Sequence, residues 1–329
     1  MLDSLSLVSK QVGVLFALMV VGFLCNRRKL LNAVAIKGVT ELLVLIVTPC
    51  VIVHSFIQQK FAPSLLGDLG WALAMSVFAH AVGAAIAFLC LHDRDPNRGG
   101  VLRFAVIFSN AGFMGIPLEY ALLGADGVFF GAMYVVVFNL VCWSLGVAVM
   151  CRGMKNVGLR ALFVNAGTVG VALGLPFFLF SLKLPEVLGR PLEMLADLNT
   201  PLAMIMVGWY LAESVKGIMD NVKANDSPFF FLHSSFFIFK VAALRLVAVP
   251  LVVIAAFVGV RACVPALNPV MAVAISTAAA APTAALTTVI AARYDKDVST
   301  ATSLVSGTTL LSILTMPPIV GFALWLFVH

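Results

Sequence analysis

Apolar runs of twenty or more residues recur along the whole sequence, separated by short polar clusters. A run of that length wound as a helix spans the ~30 Å hydrocarbon core of a bilayer. Charged residues occupy only 11% of the 329 positions and hydrophobic ones 62%. A soluble domain carries about 25% charged residues, so these charges are too few to build a surface that faces water. A membrane barrel needs apolar and polar residues to alternate with period two, and the runs do not. The sequence therefore reads as an all-α polytopic membrane protein.

At ~20–25 residues per crossing, the length accommodates ten transmembrane helices. They are placed at about 5–25, 33–57, 68–91, 101–123, 127–151, 159–182, 191–214, 233–260, 269–292 and 299–328. No polar stretch exceeds about a dozen residues, so residues 1–329 form a single membrane domain. The first run is not read as a cleavable signal, because its basic cluster Arg27-Arg28-Lys29 follows it. Cys25, Cys50, Cys90, Cys142, Cys151 and Cys263 form no CxxC pair and read as small buried hydrophobes, not disulfides or metal ligands.

The net charge of +6 is scattered through the loops, so no nucleic-acid partner is expected. Fifteen basic residues fall in one set of loops: Arg27, Arg28, Lys29, Lys37, Arg94, Arg98, Arg103, Arg152, Lys155, Arg160, Lys216, Lys223, Lys240, Arg293 and Lys296. Five fall in the other set: Lys10, Lys60, Lys183, Arg190 and Arg261. This bias puts the first set in the cytoplasm and both termini on the non-cytoplasmic side of a plasma (inner) membrane.

Glu41, Thr48 and Pro49 in the second span recur as Glu193, Thr200 and Pro201 in the seventh, with Leu43/Leu195 and Ile46/Leu198 also in register. The two spans are five apart in the order of crossings, an odd displacement, so the two copies cross in opposite directions. This is a 5+5 inverted repeat, about 1–155 and 156–329, a recurrent plan of secondary transporters. Two matching spans carry helix-breaking sequence. The fourth holds Ser109, Asn110, Gly112, Gly115 and Pro117 within nine residues, and the ninth holds Ala281, Pro282 and Thr283 after a run of alanines. Proline removes a backbone donor, and unwound backbone is tolerated in a bilayer only inside protein or along a wet cavity. Broken helix ends expose N–H groups that bind anions. The candidate substrate site is therefore Ser109, Asn110, Gly112, Phe113, Met114, Gly115, Pro117, Asn139, Ala281, Pro282 and Thr283. The bland alternative is a pair of ordinary membrane-helix kinks.

SNAGFMGIPL, Ser109 to Leu118, resembles the signature of the auxin efflux carrier family, which includes bacterial malate and malonate permeases and the plant PIN proteins. Asn199 to Gly208 with Leu211-Ala212 resembles the family's seventh-span motif. Ala281-Pro282-Thr283 through Arg293-Tyr294-Asp295 and Asp297, then Thr308 to Pro317, resembles its ninth-to-tenth region. The resemblance implies the fold shared with bile-acid/sodium symporters, with crossing fourth and ninth helices. It also implies a scaffold of spans 1, 2, 6 and 7, a transport domain of spans 3–5 and 8–10, and an elevator-like shift between them. Family members move carboxylates. A homodimer through the scaffold spans is compatible with that plan.

Three ionisable residues inside spans are candidates for coupling or gating: His80, Glu119 and Arg245. His80 reads as a proton carrier or a hydrogen-bonded packing residue. Glu119 reads as a first-turn acid favoured by a helix dipole or an ion ligand. Arg245 reads as a carboxylate partner, a lock within the transport domain or a snorkelling cation. The crossover carries no acid of its own, which weakens a sodium cage and leaves H+ or Na+ open as coupling ion; no cofactor is expected. HExxH, GxSxG, GxGD and DDxxD patterns are missing from the sequence, so an enzyme is not expected. The function read is transport of small organic anions, with a transporter-fold sensor for a carboxylate or an anion channel as alternatives.

Overall fold

The computed structural model describes residues 2–151, 153, 165–224 and 236–328. Arg152, Lys155 and Arg160, the start of the expected sixth span (159–164), the expected repeat junction near 155–156 and the start of the eighth span (233–235) lie outside the described residues. Among the described residues the regular structure is helical, with one isolated β-bridge.

In chain order the helices are α1 (Leu2–Arg27), α2 (Ala33–Gln58), α3 (Pro63–Cys90), α4 (Pro96–Ile107), α5 (Ala111–Cys151) and α6 (Ala166–Leu179). They continue with α7 (Glu186–Asp197), α8 (Asn199–Ala224), α9 (Phe236–Cys263), α10 (Pro269–Ala280), α11 (Leu286–Arg293) and α12 (Val298–Val328). Six of them, α1, α2, α3, α5, α9 and α12, are long and apolar enough to cross a bilayer, while α6 and α10 are shorter apolar helices. The segments read as the fourth, seventh and ninth spans are each divided in two.

Local sequence sets several helix starts. Asn32 accepts from the Ala35 N–H at 2.8 Å, Asn165 from Thr168 at 3.0 Å and Asn268 from Val270 at 3.0 Å. Pro63, Pro96 and Pro269 take first helical positions, where a missing N–H costs nothing.

Prolines inside the long helices act differently from the expected break. Before Pro49, Pro117 and Pro250 the helix widens into a π-turn, over Leu43–Val47, Ala111–Gly115 and Ala243–Ala248. In each case the residue preceding the proline donates five residues back: Thr48 to Leu43, Ile116 to Ala111 and Val249 to Leu244. The pyrrolidine ring pushes away the carbonyl four residues earlier, and one extra residue per turn relieves the clash. Gly112 to Gly115 are therefore wound, although the sequence led us to expect them unwound.

The single stretch Ala111–Cys151 contains a reversal. Gly124 has φ 64° and ψ −150°, a left-handed conformation that glycine alone adopts cheaply. The Glu119 carboxyl consequently lies against Gly131, where an added Cβ would stand 1.7 Å from Oε2. In a straight helix these residues would be about 18 Å apart. The stretch is thus a helical hairpin, as the sequence reading of separate spans at 101–123 and 127–151 requires.

Glycines also let helices approach closely, as in other membrane bundles. A Cβ at Gly22 of α1 would stand 1.9 Å from the Ile205 carbonyl oxygen of α8, and one at Gly208 of α8 would stand 1.9 Å from that of Met19. Likewise α6 packs Gly170 and Gly174 onto Ile52 and Phe56 of α2. The buried apolar side chains form two clusters. One takes in residues 101–108 and 284–304 around the crossover, the other 111–118 and 271–281. The helix interruptions mark the seam between them. Of the six cysteines only Cys142 is buried, while Cys90 and Cys263 are exposed at helix ends, so the expectation of small buried fillers holds for one of them.

Candidate functional site

The interruptions expected in the fourth and ninth spans meet. α4 stops at Ile107, Phe108 is extended (φ −104°, ψ 115°), and α5 begins after Asn110 (φ −79°, ψ 48°). α10 stops at Ala280 and Ala281 is extended (φ −62°, ψ 149°). The two extended pieces pair antiparallel at Ser109 and Thr283. The Ala284 N–H donates to Phe108 O at 2.9 Å, and the Asn110 N–H donates to Pro282 O at 2.6 Å. Thr283 completes the seam: its hydroxyl donates to Ala105 O at 2.9 Å, and its N–H donates to the Thr308 hydroxyl at 3.2 Å. Backbone groups that lose their helical partners thus find replacements inside protein.

Arg245 lies on the π-turn of α9 and is fully buried. Its guanidinium donates through Nε to Ala281 O at 3.2 Å, through Nη1 to Val106 O at 3.0 Å and Ile107 O at 3.4 Å, and through Nη2 to Ala279 O. Those carbonyls belong to the C-terminal ends of α4 and α10, where the helix dipoles carry partial negative charge. One cation therefore closes the carbonyl ends of both half-helices. With four carbonyls in its fork, the side chain neither snorkels to an interface nor lines the cavity described next.

The opposite ends of the interruption face open space. The first backbone bond of α5 runs from the Met114 N–H to Asn110 O at 2.9 Å, which leaves the amides of Ala111, Gly112 and Phe113 ahead of the hydrogen-bonded ladder. In α11 the first bond runs from the Thr287 N–H to Ala284 O at 3.0 Å. Both starts contribute to one cavity of about 350 Å³, through Gly112 and Phe113 on one side and Ala284, Ala285 and Leu286 on the other. Ser109, Asn110, Asn139 and Asn165 supply polar side chains, Trp143 and Phe138 supply aromatic walls, and Val44, Leu45, Thr48 and Gly167 close it from α2 and α6. Among the described residues no charged side chain lines it. The starts of α5 and α11 at its wall are helix N-termini, the ends at which peptide dipoles favour anions. The size falls in the ~300–1,000 Å³ range of small-molecule sites. A second recess of about 30 Å³ lies between the crossover, α8 and α12, and Asn110 and Ala285 line both.

The sequence-derived residues therefore separate by role. Ser109, Asn110, Gly112, Phe113 and Asn139 face the cavity. Asn139 Nδ2 donates to Val135 O at 2.8 Å. Ala281, Pro282 and Thr283 build the seam, while Met114, Gly115 and Pro117 lie in the buried wall of α5. His80 is buried among Tyr134, Phe108 and Phe138, with ring centroids at 4.8, 6.0 and 6.3 Å. Its Nδ1 donates to Ser76 O at 2.8 Å, and Nε2 has no partner. Tyr134 links this layer to the seam by accepting the Ser109 hydroxyl at 3.2 Å. Glu119 is in the first turn of the α-helical segment that starts at Ile116, as the sequence reading had it, with the π-turn Ala111–Gly115 wound ahead of that segment. Sequence reasoning missed Thr48, Trp143 and Asn165. Asn165 carried a usable signal, being a helix-capping residue followed by Gly167 at the start of an apolar run.

The model of the membrane transport protein family matches residues 7–163 and 150–320 of the chain. Among curated proteins none matches.

Proposed function

Because the chain belongs to the membrane transport protein family, we propose that it is a secondary carrier for small organic anions, mono- or dicarboxylates, held where the two broken helices cross. One observation carries the reading: two helix N-termini and three asparagines converge on a cavity whose lining, among the described residues, holds no charged side chain, while the nearby cation is bonded to carbonyls. A carboxylate in that cavity accepts from peptide N–H and amide donors without a counter-charge that would hold it too tightly to release.

The reading extends to ten crossings in two inverted halves. Three internal correspondences support it. Gly22 approaches Ile205 and Gly174 approaches Val53, and both partners of the second contact are the first pair displaced by one offset (22 to 174, 53 to 205). Thr48-Pro49 and Thr200-Pro201, related by the same offset, both stand just past a helix irregularity. The seam bonds are reciprocal, with Phe108 accepting from Ala284 as Pro282 accepts from Asn110. The cavity lies between the crossover and α2 and α6, and the smaller recess lies between the crossover and α8. That placement fits a scaffold of spans 1, 2, 6 and 7 against which the remaining helices shift in an elevator-like cycle. An inner-membrane location, outward termini and a homodimer through the scaffold belong to the same proposal.

Uptake of radiolabelled pyruvate, malonate and malate into proteoliposomes tests it. We expect saturable uptake of at least one, reduced about tenfold in Asn110→Ala for the loss of one amide hydrogen bond to a charged group. Unchanged kinetics in that variant would overturn the site.

A further inference from the structure

Glu119 is the single acidic residue among the described ones that is completely withdrawn from solvent, and neither carboxyl oxygen has a hydrogen-bond partner. Its carboxyl fills a notch between two glycines of the α5 hairpin. An added Cβ would stand 1.7 Å from Oε2 at Gly131 and 3.4 Å from Oε1 at Gly115. The same Gly115 position lies 3.5 Å from the Ala278 Cα, so the notch sits where the hairpin packs on α10, outside the anion cavity.

An ionised carboxylate in such surroundings costs several kcal/mol unless a cation joins it. α10 and the hairpin offer none; of the cations and bases on the helices packed against them, Arg245 of α9 is bonded to backbone carbonyls and His80 of α3 is bonded to the Ser76 carbonyl. α10 carries no titratable side chain. On the hairpin, Tyr120 donates to Asp197, Asp126 accepts from Gln59, and the Tyr134 hydroxyl accepts from Ser109. Neither ion pair found among the described residues, Arg98–Asp93 or Arg190–Glu193, involves Glu119. A metal cation would require several oxygen ligands, and no group of three or more metal-ligating side chains occurs among the described residues. The cation that fits a two-oxygen notch closed by glycines is a proton.

We propose that Glu119 is the proton site of the carrier. The carboxyl is neutral in the conformation described here, and its proton passes to water when a conformational change opens the Gly115–Gly131 notch, so that solute movement is tied to proton movement. This rests on the carrier reading above and names its coupling ion.

Infrared spectroscopy of purified protein in liposomes tests the site without any solute. Wild type should show a protonated-carboxyl C=O band at neutral pH that Glu119→Gln lacks. Absence of the band in wild type, or its persistence in the variant, overturns the proposal; should the variant fail to fold, the wild-type spectrum alone decides. The transport arm uses malonate in the same liposomes. An inward proton gradient should drive accumulation in wild type and none in Glu119→Gln, while malonate counterflow persists in both. Gradient-driven accumulation by the variant at the wild-type level overturns the coupling. If wild type moves none of the carboxylates tested, the anion reading fails, and the infrared band alone decides the proton site.

Discussion

Replacing Arg245 by methionine separates two roles an intramembrane arginine can have. Methionine keeps an unbranched side chain of similar reach and offers no donor. The carbonyls of Val106, Ile107, Ala279 and Ala281 then lose their partner in a position closed to water. Each buried acceptor left unpaired costs roughly 1–3 kcal/mol, and removing a desolvated guanidinium returns several kcal/mol, so the net loss is about 3 kcal/mol. At ~2–4 °C per kcal/mol for chains of 150–250 residues, the unfolding midpoint falls by roughly 6–12 °C. Arg245→Lys keeps the charge but concentrates three donors at a point, which cannot span two helix ends, so it recovers only part of the loss. Thermal unfolding of detergent-purified protein, read beside carboxylate uptake, is the assay. An unchanged midpoint with a raised KM would show that the arginine faces the solute and would refute the pinning role.

Three further outcomes follow from the packing. Gly131→Ala forces a methyl into the Glu119 carboxyl and should lower the unfolding midpoint, and Glu119→Ala in the same chain should restore part of it; equal midpoints for single and double variants would contradict the notch. Gly22→Ala, with its Cβ 1.9 Å from a carbonyl oxygen, should be more damaging to folded yield than Gly174→Ala, whose nearest contact is 2.9 Å from a side-chain Cβ; the reverse order would argue against the α1–α8 contact. Asn165→Ala removes a helix cap worth about 1 kcal/mol and a polar wall of the cavity, so carboxylate uptake should fall more than stability does, with parallel losses pointing to capping alone.

The membrane class was legible because hydrophobic run length is a one-dimensional signal that a bilayer reads directly. The interruptions at Asn110 and Pro282 were legible for a similar reason, since helix-breaking residues in apolar runs have few other uses. What the breakers do was less legible. Pro117 and Pro49 widen a helix where Pro282 follows the end of one, and at that end the Ala279 and Ala281 carbonyls are taken by Arg245 from a distant helix. Arg245 illustrates the same limit. Its burial in a span was visible, but its acceptors are carbonyls 34 to 139 residues away in sequence, and no local pattern encodes them. Asn165 and Trp143 reach the cavity through the packing of α5 and α6 on the crossover, a three-dimensional fact that spacing does not record.

The most direct measurement is an anomalous-scattering map of crystals soaked with a brominated carboxylate. The account predicts bromine density in the cavity beside Gly112, Phe113 and Ala285, weakened in Asn110→Ala. Density against Arg245 or in the basic loops, with the cavity empty, would contradict it.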